Sequence, residues 1–466
     1  MAVAVAVAIF AVGLSAAPAA ADPGDLLTGF GTDGLLFEDA ALGEVVERTI
    51  LHPDHDLLIA TRRRTDDGDQ RIGLIQVDSA AGVVLSNRTL APDFDGGSPI
   101  HLRPDGLGGV IVGTTVSGDP NQGGKDLLIF RLGGGLELDS GFGLRQLGFD
   151  LSPNPNERME DLEVLSDGRI VALTSVATDE GTRIGLVFLK PDGSPDTSLP
   201  NGGLELIPNP VDEGLIPEMM AVDSRDRLWI GAFPLGPSPQ RMAVTRVLPD
   251  ASLDSSFGTS GIGLFDFRPC ASCPADSTAS LADIETLGEV AYVLASVEIG
   301  LDQRNAAATA LGEAGGPDPA LGGWTRIPFL SPPGGPSPGR TLPISRLDLE
   351  VDPERRGLVV ATTGEDQEAN PSRDYVGLTR VRPGGGLDTA FGNGGTVTHS
   401  FGEDASFTQP YLTVKGRDDL TDMTSSARIT VLADDIAVMA VEGFFNEIFA
   451  DGFESGDTSA WSDIVP

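Results

Sequence analysis

Cysteine, tryptophan, tyrosine, histidine and lysine are all scarce in this 466-residue chain: two Cys, three Trp, three Tyr, four His and three Lys (Lys125, Lys190 and Lys415). Two cysteines cannot build a disulfide framework, and a four-ligand zinc site would need a second pair. The four histidines, His52, His55, His101 and His399, join no Ser/His/Asp set that can be nominated from sequence. No Gly-x-Ser-x-Gly elbow and no Walker or Rossmann signature is present, so the common nucleophile and nucleotide chemistries have no anchor. Positive charge is short as well. The 31 Lys and Arg face 69 Asp and Glu, a net charge of −38. Such a field repels phosphate, which excludes nucleic acid and anionic membrane surfaces as partners. Helical periodicity is weak throughout, and beyond residue 21 no stretch is long and apolar enough to span a bilayer.

What is abundant is turn-forming residues. The chain has 60 Gly and 34 Pro, yet apolar residues still make up 40%. That is enough apolar surface to offset chain entropy, so the chain is ordered. Many short β-rich runs bounded by Gly, Pro, Asp and Asn indicate an all-β fold.

Those runs repeat. A turn followed by a β-rich run recurs seven times, with apolar anchors at Leu57, Val110, Ile170, Leu228, Val290, Leu358 and Ile436. Successive subtraction gives steps of 53, 60, 58, 62, 68 and 78. Downstream of the anchors runs a second landmark, Leu-Asp-x-x-Phe-Gly, clearest at Leu138–Gly143, Leu253–Gly258 and Leu387–Gly392. Degenerate copies end at Leu199 and Leu321, and an orphan copy, Leu26–Gly31, opens the chain. In these turns Asp bonds backbone amides ahead of it and Gly supplies positive φ. The pairs Phe30–Gly31, Phe142–Gly143, Phe257–Gly258 and Phe391–Gly392 are read as structural turn residues, with Phe a plug between repeats.

A period near 58 residues holds four strands of five to six residues with their turns, which is one propeller blade rather than one coil of a solenoid. The expected architecture is an all-β propeller of seven four-stranded blades over residues 22–452. The run Phe444–Gly452 is expected to supply the strand missing before the orphan turn, so that N- and C-terminal strands pair and close the ring. The Leu-Asp-x-x-Phe-Gly-x-x-Gly turn with Asp-Gly-Arg-Ile-Val, best seen at Leu253–Gly261, Leu387–Gly395 and Ser166–Val171, resembles the delta-60 repeat family of bacterial exported proteins. That resemblance covers about residues 24–450. It implies a propeller-like β-fold and a secreted or surface location, and it brings no catalytic residues with it.

Residues 1–21 carry no charged side chain and end in Ala19-Ala20-Ala21, which reads as a signal peptide cleaved before Asp22. The basic n-region is missing. Residues 453–466 form a C-terminal tail, read as a sorting-type motif or a loose end. Cys270 and Cys273 in Pro-Cys-Ala-Ser-Cys-Pro are open to a redox dithiol, half a zinc site or a local disulfide. In an oxidising compartment the structural loop disulfide is the natural state. His52-Pro-Asp-His55-Asp56 is read as a turn variant rather than a metal site. The loops Thr65–Asp69 and Asp93–Gly97 carry oxygen ligands of the type calcium takes, without the spacing of an EF-hand.

With no catalytic constellation, the expected role is a non-enzymatic, monomeric binding or interaction module. It would take a protein, glycan or small-molecule ligand, use no cofactor, and insert in no membrane after signal cleavage. The alternative is a metal-assisted, calcium-type hydrolase or lyase with its site at the propeller channel.

Overall fold

A computed structural model describes residues 30–32, 35–38, 44–52, 54, 56–64, 70–90, 99–118, 124–151, 157–179, 181–210, 214–235, 241–266, 278–299, 303–318, 323–329, 342, 344, 346–352, 357–366, 373–382, 384–399, 410–415, 426–432 and 436–442. Over these residues the regular structure is all strand, in seven four-stranded antiparallel sheets. The first sheet runs Val45–Leu51, Leu57–Arg64, Gln70–Val77, Val84–Thr89. The second runs Ile100–Pro104, Val110–Ser117, Lys125–Leu132, Leu144–Leu147, and the third Arg158–Val164, Ile170–Thr178, Gly181–Leu189, Leu204–Leu206. The fourth is Leu215–Val222, Leu228–Pro234, Arg241–Val247, Ile262–Asp266; the fifth is Thr278–Leu287, Val290–Ile299, Gln303–Ala310, Thr325–Ile327. The sixth is Arg346–Asp352, Gly357–Asp366, Arg373–Val381, Thr396–His399. The seventh takes Tyr411–Lys415, Ser426–Leu432 and Ile436–Glu442, and its fourth strand is Leu35–Glu38 from the other end of the chain.

The first strands touch one another in cyclic order, each sheet's to the next, and the seventh sheet's back to the first's. They therefore surround a central axis, with later strands lying progressively outward. That is a β-propeller. Second strands are packed between neighbouring sheets; Val110–Val116 is buried throughout. Crowding by side chains of the paired second strand explains a glycine in the third strand. A Cβ on Gly185 would lie 2.4 Å from Val176 Cγ2, so no larger residue fits under that side chain.

The Leu-Asp-x-x-Phe-Gly turns join third to fourth strands and plug the gap to the next sheet. Phe142, Phe257 and Phe391 are all fully buried, as is Phe30. Phe257 packs with Trp229 of the fourth sheet and Ile284, Ala291 and Val293 of the fifth. Gly31, Gly143, Gly258 and Gly392 take φ of 52°, 71°, 52° and 51°. Three of these plugs are topped by an arginine from the third strand: Arg131, Arg246 and Arg380 stand 5.5, 4.9 and 4.9 Å from the ring centroids of Phe142, Phe257 and Phe391. The same arginines pair with the turn aspartates Asp139, Asp254 and Asp388 at 2.6, 2.8 and 2.6 Å.

Two expectations about the seventh sheet require correction. The strand beside Leu35–Glu38 is Ile436–Glu442, with Leu35 opposite Met439 and Glu38 opposite Ile436. It takes the place expected of Phe444–Gly452, a run outside the described residues, as is the tail at 453–466. The anchor Ile436 also opens a third strand, whereas the other anchors lie at the start of second strands. The seventh second strand starts at Ser426, and 426 − 358 = 68 restores the spacing that 78 had broken.

Candidate functional site in the central channel

Four inner strands carry a three-residue pattern whose middle member is sealed in the core. These members are Leu102, Leu162, Ile284 and Leu349, each no more than 1% exposed. Side chains alternate along a strand, so their flanking residues point the other way, toward the axis. The flanks are His101 and Arg103 in the second sheet, Asp161 and Glu163 in the third, Asp283 and Glu285 in the fifth, and Asp348 and Glu350 in the sixth. Arg48 of the first inner strand adds a guanidinium whose field reaches Asp161, Asp283, Asp348 and Glu350. The fourth sheet interrupts the ring with Met219, Met220 and Ala221.

The aspartates first serve the fold. Asp161 accepts from its own neighbour Leu162 N at 2.8 Å and from Met220 N of the next sheet at 2.9 Å. Asp283 accepts from Ile284 N and from Leu349 N of the next sheet, both at 2.8 Å. Asp348 accepts from Leu412 N of the seventh sheet. Each carboxylate thus joins two adjacent blades. A β-bulge lies beside Asp161 and another beside Asp283.

Charge is balanced on one side of the channel and not on the other. Arg103 bonds Glu163 at 2.7 Å and Asp161 at 3.1 Å, and His101 Nδ1 lies 3.4 Å from Asp161. Burial opposes ionisation of Asp161, but Arg103, His101 and Arg48 outweigh it and hold the carboxyl well below the usual range. Burial lowers the His101 imidazole, against the pull of Asp161. Among the described residues, the fifth and sixth sheets have no such ion-pair partner in contact with their carboxylates. Burial pushes Glu285 well up, and the charges of Glu350, Asp283 and Glu163 push it further. Burial raises Glu350 to about 7 against the distant pull of Arg48 and Arg103. Asp348 is driven well up by burial and by the charge of Asp283, and burial raises Asp283 as well. All four side chains keep partial exposure, so water reaches them along the channel.

This arrangement can hold and exchange protons near neutral pH and can attract cations. Among the described residues, no three His, Cys, Asp or Glu converge as metal ligands. The Phe and Gly residues of the sequence-predicted turns lie between sheets, away from this site. His52 is buried in the turn after the first inner strand, where Nδ1 accepts from Asp54 N at 3.2 Å. Cys270, Cys273, His55 and the acidic loops at 65–69 and 93–97 lie outside the described residues. The sequence reading missed the channel carboxylates, although their signal is visible: Asp161-Leu162-Glu163, Asp283-Ile284-Glu285 and Asp348-Leu349-Glu350. Their aspartates are 122 and 65 residues apart, two repeats and then one.

No known family model matches the chain, and no curated protein matches it in sequence. Solved structures with a similar course of the chain include the PQQ-bound aldose sugar dehydrogenase from Streptomyces coelicolor, at 14% identity and a TM-score of 0.38, over 68% of this chain and 88% of that one. The β-propeller domain of Vanderwaltozyma polyspora Nup133 is 11% identical, with a TM-score of 0.42 over 90% and 96% of the two chains. The Hadza microbial sialidase Hz136 is 10% identical, with a TM-score of 0.41 over 87% and 66%. Likeness this distant carries no functional argument.

Proposed function

We propose that this chain is a secreted or surface-associated propeller of seven blades, closed by its two ends, that acts as a binding module rather than an enzyme. The delta-60 resemblance and the apolar run at residues 1–21 support the export reading. The observation that carries the binding reading is the channel wall. Inner strands with the same backbone role carry His101 and Arg103, Asp161 and Glu163, or Met219 and Ala221 on either side of a core residue. Side chains not fixed by packing are free to differ, and in a propeller such positions and the loops around them form recognition surfaces. The ligand is a protein, a glycan or a small molecule, and the acidic field disfavours nucleic acid. The test is binding of the full chain to glycan, peptide and amine arrays, with Glu163→Gln/Glu285→Gln/Glu350→Gln as comparison. Saturable binding weakened by the triple variant supports the reading; an array with no saturable partner sinks it.

The metal-assisted hydrolase or lyase remains a second reading because the channel carboxyls of Asp283 and Asp348 are both raised by burial, as those of an acid–base couple are. Calcium bound to the folded state would raise the unfolding midpoint, and chelator would reverse the rise. An unchanged midpoint counts against calcium-dependent chemistry.

A further inference from the structure

We propose that a cleft between the second and third sheets, beside their first-to-second-strand turns, seats one aromatic side chain of a basic peptide. This deepens the binding reading by naming a partner class and rests on it, at a site other than the channel.

The cleft has a volume of about 360 Å³. Pro104 and Leu107 of the second sheet and Val164, Leu165 and Pro191 of the third form its apolar walls, and its charged members are Asp105 and Asp167. Ligand pockets span about 300–1,000 Å³, so this one has room for a single anchoring side chain. Aromatic anchors seated in such pockets carry much of the affinity of an interface.

Two glycines account for the opening. The turns of three sheets close with the same bond: Asp105 N to Gly109 O at 2.9 Å, Leu165 N to Arg169 O at 2.8 Å, and Asp223 N to Arg227 O at 3.1 Å. That alignment makes Gly106 equivalent to Ser166 and Ser224, and Gly168 equivalent to Asp226. Between the third and fourth sheets Ser166 is stitched to Asp226, its N to Oδ1 at 2.8 Å and its Oγ to Oδ2 at 2.6 Å. Between the fourth and fifth, Ser224 N donates to Gly288 O at 2.7 Å and Arg225 pairs with Glu289 at 2.6 Å. Between the second and third, the places of Ser166 and Asp226 hold Gly106 and Gly168, which have no side chains to make the stitch.

The walls are fixed before a ligand arrives, which lowers the cost of binding. Asp105 Oδ1 accepts from Leu107 N at 2.7 Å and Gly109 N at 2.8 Å, and Arg131 Nη1 donates to Pro191 O at 3.3 Å. Leu107 stands at the rim, 77% exposed, in this braced turn. Its apolar surface is buried only if a partner covers it. Charge selects the residues flanking the anchor. The Asp167 side chain is 51% exposed. Arg169 N and Nε take two of the about four acceptor sites of its carboxylate. The remainder suit a Lys or Arg beside the anchor, and the net charge of −38 draws a basic peptide and repels an acidic one.

The test is fluorescence anisotropy of a labelled Lys-Lys-Phe-Lys-Lys peptide titrated with the full chain. It is set against Lys-Lys-Ala-Lys-Lys and Glu-Glu-Phe-Glu-Glu, and against the variants Leu107→Ser and Gly168→Asn. A Cβ on Gly168 would stand 3.2 Å from Pro191 Cγ, so the Asn side chain occupies the cleft without changing its charge. Asp226 takes a φ of 59° at the equivalent place, a region that Asn also tolerates. Saturable binding of the Phe peptide is expected. The Ala peptide, the Glu peptide and each variant should weaken it at least about tenfold, with thermal midpoints of the variants as the folding control. No saturable binding by wild type overturns the inference. Equal affinity for the Ala peptide does so by placing the lysines on the acidic surface, and equal affinity for the Glu peptide removes the basic partner. Unchanged affinity in both variants moves the peptide away from the cleft. If the arrays give a partner lost in the channel triple variant but kept by Leu107→Ser and Gly168→Asn, the binding reading stands and this inference alone falls. The same holds if a glycan saturates and the Phe peptide does not.

Discussion

The turns between third and fourth strands and the inner strands of the channel repeat under different rules. In the turns one solution recurs: an arginine, an aspartate eight residues later and a plugging phenylalanine, at 131/139/142, 246/254/257 and 380/388/391. Every charge there has a partner. Arg246 is fully buried, stacks on Trp229 and Phe257, and bonds Asp254, Ser256 and Glu313. In the channel the backbone role recurs while the side chains change, and carboxylates accumulate without close cations. Where packing sets the residue the repeats agree. Where the side chain faces a water-filled axis they diverge, and that divergence is where ligand recognition has room to arise.

A single slot shows the same contrast. Glu44 and Glu157 each stand just before an inner strand whose second residues, Val46 and Met159, pair with Thr61 and Thr174 of the second strands. Glu44 is bonded by the Thr61 hydroxyl and by Arg63 Nε at 2.7 Å. Two residues beyond Thr174, the place of Arg63 is taken by Val176. Glu157 is left fully buried, with neither carboxylate oxygen hydrogen-bonded. Burial raises it to about 7, and the charges of Asp150 and Asp126 add to the rise.

The comparison can be broken most forcefully at the turns. Arg246→Met leaves Asp254 without its guanidinium and strips the stack over two rings. Loss of one partner of a buried pair costs about 3–5 kcal/mol, read by urea unfolding. A loss below about 1 kcal/mol, the scale of an exposed pair, would remove the distinction drawn here. Glu44→Gln keeps one hydrogen bond but discharges its pairing with Arg63, and should cost about 1–3 kcal/mol.

Glu157→Gln should act with the opposite sign, and with a pH dependence. A carboxyl raised in the folded state binds its proton more tightly there than in the unfolded chain. Its favourable contribution is complete below the unfolded value near 4.5 and is lost as pH climbs through about 7. The wild-type midpoint should therefore decline over that window. The Gln variant should flatten the decline, so that its midpoint exceeds wild type at pH 8 and not at pH 5. A midpoint lowered equally at both values would mean that Glu157 has a partner after all. The smallest effect belongs to the exposed Leu107. Leu107→Ser should leave stability within about 0.5 kcal/mol, as expected for a surface side chain outside core, caps and ion pairs.

The repeat, the strand boundaries and the plugging turns were legible because each has a local signature: a two-residue alternation, a φ only Gly accepts readily, or a ring amid polar loop residues. The last blade was misread because its strands begin in sequence unlike the other anchors, and only pairing shows that Ile436 opens a third strand. The channel was missed for a different reason. Asp-apolar-Glu is an ordinary strand alternation in one copy, and it gains meaning only when three copies turn toward one axis. Nor does sequence reveal that Glu44 has a cation and Glu157 has none, because Arg63 and Val176 lie 19 residues downstream of each in turn. Register alone makes them equivalent.

The central claim is that the fifth and sixth sheets hold carboxylates in excess of nearby cations. Its most direct test is a hydrogen-ion titration of the folded chain, wild type minus Glu285→Gln/Glu350→Gln. The difference in bound protons should extend well above the ordinary glutamate range, with the Glu350 step at about 7. A difference that is complete below about pH 5 would show two normally solvated glutamates and contradict it.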